Sequence, residues 1–334
     1  MAEPLFVITG AGASKACASP GTAPMGIFAP PPVVTELFGY YSTLEKYPAA
    51  KLAAAELRVA AQTATSLEEH IRTKYLNSTH SLHRRVVASL PFYLQEVLFD
   101  RDREFGAHAD NYQRLVTALL PRVEPIFVTL NYDTLLDQQL AIDAPISSLD
   151  DYVSSERGWS LVKLHGSTNW GFPVQGVGDV HDPRPDAVLD RTFVLRDQAA
   201  LEGRRYDPHG EGTTYFPALS VPVGAEDEVT CPDEHRGFLR ERLRLADHLD
   251  LLVIGYSAND QEVLKLFREH HTKVRSVAVV EPSQERGEAV ANKLSVALDV
   301  WFEAVRVYAT GFDGFAGSAA LNAYLDDPPS RGSF

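Results

Sequence analysis

Asn131, Asp133 and His165 carry the chemistry to hold and activate a hydroxyl or a water. A carboxamide both donates and accepts hydrogen bonds without adding charge. An imidazole titrates near neutrality, which suits general-base work. Each of these side chains stands just past an apolar run, Asn131 and Asp133 after EPIFVTL and His165 after SLVKL. Two glycine-containing stretches occupy equivalent places: Gly10-Ala11-Gly12-Ala13-Ser14 after LFVIT, and Gly255-Tyr256-Ser257 after LDLLVI. Glycines there let the backbone approach a ligand, and a following helix N-terminus favours pyrophosphate oxygens. Glu281, ahead of Pro282 and Ser283, closes a fifth run, RSVAVV.

Each feature also has a bland explanation. Asn131 or Asp133 could cap the next helix, and His165 could be a satisfied histidine at a strand end. Ser257 or Asn259 could cap a helix starting near 259, with Asp260 just beyond. Glu281 could be solvated, and the first glycine turn could serve tight packing. The bland readings leave convergence unexplained. In an open α/β sheet, ligands bind outside the carboxyl ends of the strands, and here the polar residues gather at those ends.

The elements that would position them are legible as continuous apolar runs, as expected for parallel strands covered on both faces. They lie at 5–10, 124–131, 160–165, 249–257 and 275–283, with a weaker one at 300–308. Helical stretches fall between several of them, at 133–141, 236–248, 259–271 and 284–297, which predicts an α/β, doubly wound, mostly parallel sheet. Residues 20–32, PGTAPMGIFAPPP, are proline-rich and predict a loop. From 33 to 120 the pattern is helical: AAKLAAAELRVAAQ, a Ser-x-x-Glu capping box in SLEEHI, and SLHRRVVASLPFYLQEVL. This is a helical insertion after the first strand. Residues 168–235 lack periodicity and predict a second, irregular insertion; DDPPSRGSF predicts a frayed tail.

Composition narrows the function classes. The chain has 334 residues, 45% of them hydrophobic and 23% charged, as in a globular protein. No apolar run approaches the roughly 20 residues that cross a bilayer. MAEPLFVITG lacks a secretory pattern, and the two cysteines, Cys17 and Cys231, exclude a disulfide framework, so a cytoplasmic location is expected. A net charge of −14 disfavours direct nucleic-acid binding. The densest basic run, RGFLRERLRL at 236–245, fits one solvated helix face. Cys17 reads as a small buried residue.

Taken in order, GAGAS, TLNYD, KLHGS and VIGYS resemble the Sir2 (sirtuin-like) family. They are most similar to its bacterial branch of SIR2-like NAD-consuming proteins of anti-phage defence. The resemblance covers about 1–20, 124–170 and 249–310. It implies a Rossmann-like NAD-binding domain formed by 1–32 and 121–334, with the irregular insertion at about 168–235, and a helical module at 33–120. It further implies that Gly10, Ala11, Gly12, Ala13 and Ser14 line the ADP-ribose phosphates. Asn131 and Asp133 match the family's Asn-x-Asp pair at the nicotinamide ribose, and His165 its catalytic histidine. Gly255, Tyr256 and Ser257 fall at the loop near the phosphates and adenosine, and Glu281 near the adenine ribose.

Departures from the pattern redirect the expected chemistry. Deacylases of the family hold a structural zinc on two Cys-x-x-Cys pairs, which this chain cannot supply. The family's proline-phenylalanine-arginine stretch is replaced by PGTAPMGIFAPPP. His181, His209 and His235 near Cys231 have no metal-site spacing and read as surface residues, so no metal is expected. With the acyl-peptide groove in doubt, water is the natural acceptor. The resulting expectation is an NAD+ nucleosidase, catalysed by Asn131 and His165, with NAD as its substrate. The alternatives are a deacylase or ADP-ribosyltransferase, and a non-catalytic NAD or ADP-ribose sensor or scaffold. The family keeps such activity silent until triggered, which implies a partner such as a HerA-type ATPase or Argonaute-like protein, or a change in self-assembly. The alanine-rich segment 49–64 is a candidate homo-oligomer contact, against the simpler expectation that it covers the chain's own core.

Overall fold

The structure, a computed structural model, describes residues 5–18, 31–63, 67–174, 194–195, 214–220, 230–270 and 274–327. Strand β1 (Leu5–Thr9) leads into the short helix α1 (Ala11–Lys15). Helices α2 (Tyr41–Leu44), α3 (Pro48–Thr63), α4 (Leu67–Ile71), α5 (Ser81–Phe105) and α6 (Asp110–Leu119) come next. Then come β2 (Pro125–Thr129), α7 (Leu135–Leu140), β3 (Ser160–Lys163), β4 (Gly166–Val174), β5 (Val194–Leu195) and β6 (Thr214–Leu219). The chain continues through α8 (Asp233–Leu245), β7 (Leu249–Ile254), α9 (Gln261–Arg268), β8 (Val274–Val280) and α10 (Gln284–Leu298). It closes with β9 (Ala304–Tyr308), α11 (Gly311–Ala316) and α12 (Ala319–Asp326).

Six parallel strands form the main sheet in the order β3-β2-β1-β7-β8-β9. The α/β, doubly wound, parallel architecture expected from the apolar runs is therefore present. Those runs are continuous because alternate side chains feed two separate layers. Leu5, Val7, Phe127, Leu252 and Ala278 enter one apolar cluster, with α6, α11 and α12. Phe6, Ile8, Val128, Val253 and Val279 enter the other, with α8, α9 and α10. β9 is the weaker run because it is an edge strand, paired to β8 alone and half exposed.

The helical segment packs as a third apolar cluster. Ala50, Ala53, Ala54 and Leu57 of α3 are buried in it with Leu90, Tyr93 and Val97 of α5. The alanine face considered for self-assembly is thus turned inward, and Leu52 and Val59 point outward from the same helix. Within 168–235, where the sequence predicts an irregular segment, the described residues include three antiparallel strands in the order β5-β4-β6. Their signal is hidden by a register shift between Gly166 and Gly171, which breaks the period-two pattern, although Trp170 and Phe172 are both buried. Residues 20–30 of the proline-rich segment 20–32, Ser66 of the capping box, His181, His209 and residues 328–334 of the tail lie outside the described residues.

The order of strands places the crossover reversal beside β1, with β2 on one side and β7 on the other. At this point the loops after β1 and β7 interlock. Gly12 N donates to Gly255 O at 3.0 Å, and Gly10 N to Ile254 O at 3.1 Å. A Cβ on Gly255 would lie 2.2 Å from Ala13 N, and its φ of +58° is left-handed. Gly255→Ala is therefore expected to cost at least about 1–2 kcal/mol from backbone conformation alone. Urea unfolding should show the loss as a lower midpoint at unchanged slope; an unchanged midpoint would refute this packing argument.

Candidate active site

Parallel register brings the strand ends level. Thr9 pairs with Thr129 and with Ile254, Thr129 with Lys163, and Ile254 with Val280. One further backbone bond continues each ladder: Leu130 N to Thr9 O, Leu164 N to Thr129 O, and Gly255 N to Val280 O. The residues just beyond are Gly10, Asn131, His165, Gly255 and Glu281, and all of them line one cavity of about 1710 Å³. Ala11, Gly12, Ser14, Asp133, Tyr256 and Ser257 line it too. Ala13 is the exception among the expected residues: it is fully buried in the apolar layer below the loop. A wall of the same cavity comes from the helical segment, through Leu37, Phe38, Ile71, Leu94 and Leu98.

Asn131 is buried, and its orientation is set by the first glycine loop. Nδ2 donates to Gly10 O at 3.0 Å, Ser14 Oγ at 2.9 Å and Tyr112 OH at 3.4 Å. Its backbone N donates to Thr129 Oγ1 at 3.1 Å. Among the described residues, Oδ1 has no hydrogen-bond partner. The loop itself is stiff, since Gly10, Gly12 and Ala13 direct their amides to protein carbonyls. Ser14 is likewise buried and shares its hydroxyl with Tyr112 OH at 3.0 Å.

Asp133 does act at the start of α7, accepting from Leu135 N at 3.3 Å. It also belongs to a buried charged group. Lys163 Nζ, fully buried, donates to Asp133 O and pairs with Asp137 Oδ2 at 2.9 Å. Tyr152 OH donates to Asp137 Oδ1 at 2.8 Å. Asp102, from α5, accepts at Oδ2 from Thr134 N at 2.8 Å and from the Thr134 and Thr168 hydroxyls at 3.1 Å. Burial first, and then the charge of Asp133, push the Asp102 carboxyl well above its ordinary range. Burial also raises Asp133, opposed by Lys163 and the Ser14 hydroxyl.

His165 is part-exposed and directs Nε2 to Asp260 Oδ2 at 2.7 Å. Its backbone O accepts from Ser220 N at 2.8 Å, so the small antiparallel sheet braces the histidine from behind. The Tyr132 ring lies beside it, centroids 6.0 Å apart, and Tyr132 OH donates to Ser220 O at 2.9 Å. The cap of α9 is Asp260, whose Oδ1 accepts from Val263 N at 2.9 Å, and not Ser257 or Asn259 as considered from sequence. Asn259 instead donates to Ser257 Oγ at 3.2 Å. Glu281 is buried, not solvated; burial raises its carboxyl and the guanidinium of Arg286, at 3.5 Å, opposes the shift.

Several basic groups also line the cavity of this acidic chain: Lys15, Arg236, Arg268, Arg286 and Lys293. Arg236 comes from the arginine-rich run on α8; Arg240 and Arg244 of that run are exposed. His235 on the same helix is buried, contrary to the surface placement expected. Its Nε2 donates to Leu149 O at 2.9 Å, and its ring packs among Tyr152 and Trp170. Cys17 and Cys231 are buried free thiols, each pushed up to about 12 by burial. Neither supplies a thiolate near neutrality. Among the described residues, no group of three or more His, Cys, Asp or Glu could hold a metal ion, and no helix is long and apolar enough to cross a membrane.

The functional candidates missed from sequence are Asp260, Lys163, Asp102 and Tyr112. A lysine inside the apolar run SLVKL was a usable signal, because a charge there must find a buried partner. Asp102 gave none, being one acidic residue in the polar stretch FDRDREF.

Comparison with known proteins gives one family. The model of the SIR2-like domain matches residues 125–297. No curated protein matches the chain. Among solved structures, it is similar to a mutant Sir2 homologue in complex with 2′-O-acetyl ADP-ribose, at 14% identity and a TM-score of 0.42, covering 89% of this chain and 92% of that one. It is also similar to a Sir2 homologue–NAD complex, at 13% identity and a TM-score of 0.41, covering 89% of this chain and 90% of that one.

A carboxyl whose folded pKa lies above its unfolded one binds more protons folded than unfolded, so its contribution to stability is full below the unfolded value and is lost as pH rises through the folded one. Asp102→Asn keeps an acceptor for Thr134 N and removes the ionisation. Its urea midpoint relative to wild type is expected to rise as pH increases from about 4, near the ordinary Asp value, to about 8. A difference that is constant or falls across that range would refute the assignment of a buried, proton-retaining carboxyl.

Proposed function

The chain belongs to the SIR2-like domain family, and on that premise we propose that it takes NAD+ as substrate and hydrolyses its N-glycosyl bond. The products are nicotinamide and ADP-ribose. The observation that carries this reading is the convergence of Asn131, His165 and both glycine loops on one cavity at the strand reversal. Its volume exceeds the roughly 300–1,000 Å³ of ordinary small-ligand sites, leaving room for a dinucleotide. Basic side chains on the wall favour an anionic ligand despite the net charge of −14.

In the reaction the bond from ribose C1′ to the nicotinamide nitrogen breaks, and its electron pair leaves with nicotinamide. Water forms the new C1′–O bond and passes its proton to His165. Asn131 Oδ1 orients the water or a ribose hydroxyl, since the carboxamide nitrogen is held by the protein. A carboxylate 2.7 Å behind His165 steadies the cation formed on proton uptake. Buried Asp133, part of the charged group behind the loop, keeps Asn131 and α7 in place. Water is the acceptor on this reading because the chain's two cysteines are separate buried thiols and cannot supply two Cys-x-x-Cys pairs for a structural zinc.

The same reading includes a setting. Similarity of the motifs to the bacterial NAD-consuming branch supports a cytoplasmic, NAD-depleting effector of anti-phage defence. Such an effector is held silent until a trigger arrives through a HerA-type ATPase, an Argonaute-like partner or homo-oligomer formation. Asn131→Ala and His165→Ala are each expected to lower nicotinamide release by about 10²-fold or more, with circular dichroism unchanged. Chromatography of NAD+ incubated with wild type and variants reads the outcome. Absence of nicotinamide from wild type even with its partners present would sink the hydrolase reading.

A further inference from the structure

We infer that Asp260 is the positioning residue of His165, fixing the imidazole tautomer so that Nδ1 is the basic atom facing the ligand. The inference rests on the reading of His165 as the base. Its grounds are geometric. Asp260 stands at the N-terminus of α9 with both carboxylate oxygens engaged, Oδ1 by Val263 N at 2.9 Å and Oδ2 by His165 Nε2 at 2.7 Å. Its backbone O is fixed as well, accepting from Leu264 N at 3.2 Å and Tyr256 OH at 3.4 Å. The chain reaches this position through Ala258, a buried non-glycine residue at φ 55°. A left-handed conformation is unfavourable for alanine, and such conformations persist where surrounding structure over-determines them. Here the turn brings the cap of α9 against the histidine beyond β3.

An ionised carboxylate only accepts hydrogen bonds. Nε2 must therefore carry the proton, and the lone pair lies on Nδ1, for which no protein partner occurs among the described residues. When Nδ1 takes a proton from water, the imidazolium remains bonded to the Asp260 carboxylate. The loop that begins at Gly255, at the strand reversal, thus ends on the group that sets the base. Cofactor-loop geometry and base geometry are one unit.

Asp260→Asn tests this because the helix cap dictates how the amide sits. With its oxygen facing Val263 N, the NH2 faces Nε2 and forces the proton onto Nδ1. The expected result is a fall in kcat for nicotinamide release of about 10²–10⁴-fold, with KM for NAD+ changed less than about threefold. In parallel, ¹⁵N-histidine NMR of the full chain, with His165 assigned by the missing resonance in His165→Gln, should show Nε2–H in wild type and Nδ1–H in Asp260→Asn. A folded Asp260→Asn protein with wild-type kcat overturns the inference, and so does an Nδ1–H wild type. If the wild type shows no turnover, the hydrolase reading fails, and the wild-type tautomer still decides the positioning of His165. The same spectrum decides it if the variant does not fold.

Discussion

The site depends on one backbone constraint, the extension of the parallel ladders by one bond beyond the last paired residues. Gly10 is tied to Ile254, Leu130 to Thr9, Leu164 to Thr129 and Gly255 to Val280. These bonds hold loops from distant parts of the sequence at one level, so that their first free side chains meet. The two glycine loops approach closely enough that each fills the place where the other would have a Cβ. Glycine is thereby required twice over, for packing and for the open floor of the cavity.

Beneath that floor lies a buried charged group, and its balance explains the stiffness of the site. Lys163 sits between the Asp133 carbonyl and the Asp137 carboxylate, and Asp102 reaches in from α5 to hold Thr134 and Thr168. Removing charges from water is costly, and their mutual attraction offsets it only when geometry and hydrogen bonding are good. Two of the acids keep their protons more readily than usual for this reason. Asn131 rests on the upper side of this group through Ser14 and Tyr112. The asparagine is held in place through its carboxamide nitrogen.

The two insertions differ in their contributions. The small antiparallel sheet braces His165 through Ser220 and Tyr132. The helical segment closes the cavity with apolar residues of α4 and α5 and sends Gln95 to Thr168 O at 2.7 Å. Alanines on α3 let it approach α5 within one apolar cluster. Each insertion thus meets the main sheet at the loops that carry the candidate chemistry.

The sequence alone determined the layered architecture, because a strand covered on both faces must be apolar at every position, and that is visible as runs such as LFVIT and LLVI. It also determined which residues stand at the strand ends, since chain order fixes the residue that comes next after each run. Whether Asn131 or Asp133 serves the next helix was not decidable there; in the fold Asp133 accepts from Leu135 N at the start of α7, while Asn131 turns its carboxamide to the first glycine loop. Only tertiary structure brought Asp260 to His165, Asp102 and Lys163 to the floor, and His235 into the core. Those contacts join residues 26 to 95 positions apart in sequence, through partners with no shared local pattern. Periodicity reports which face of an element is buried; it carries no information on which polar groups meet across elements, and there the strand order and register decided.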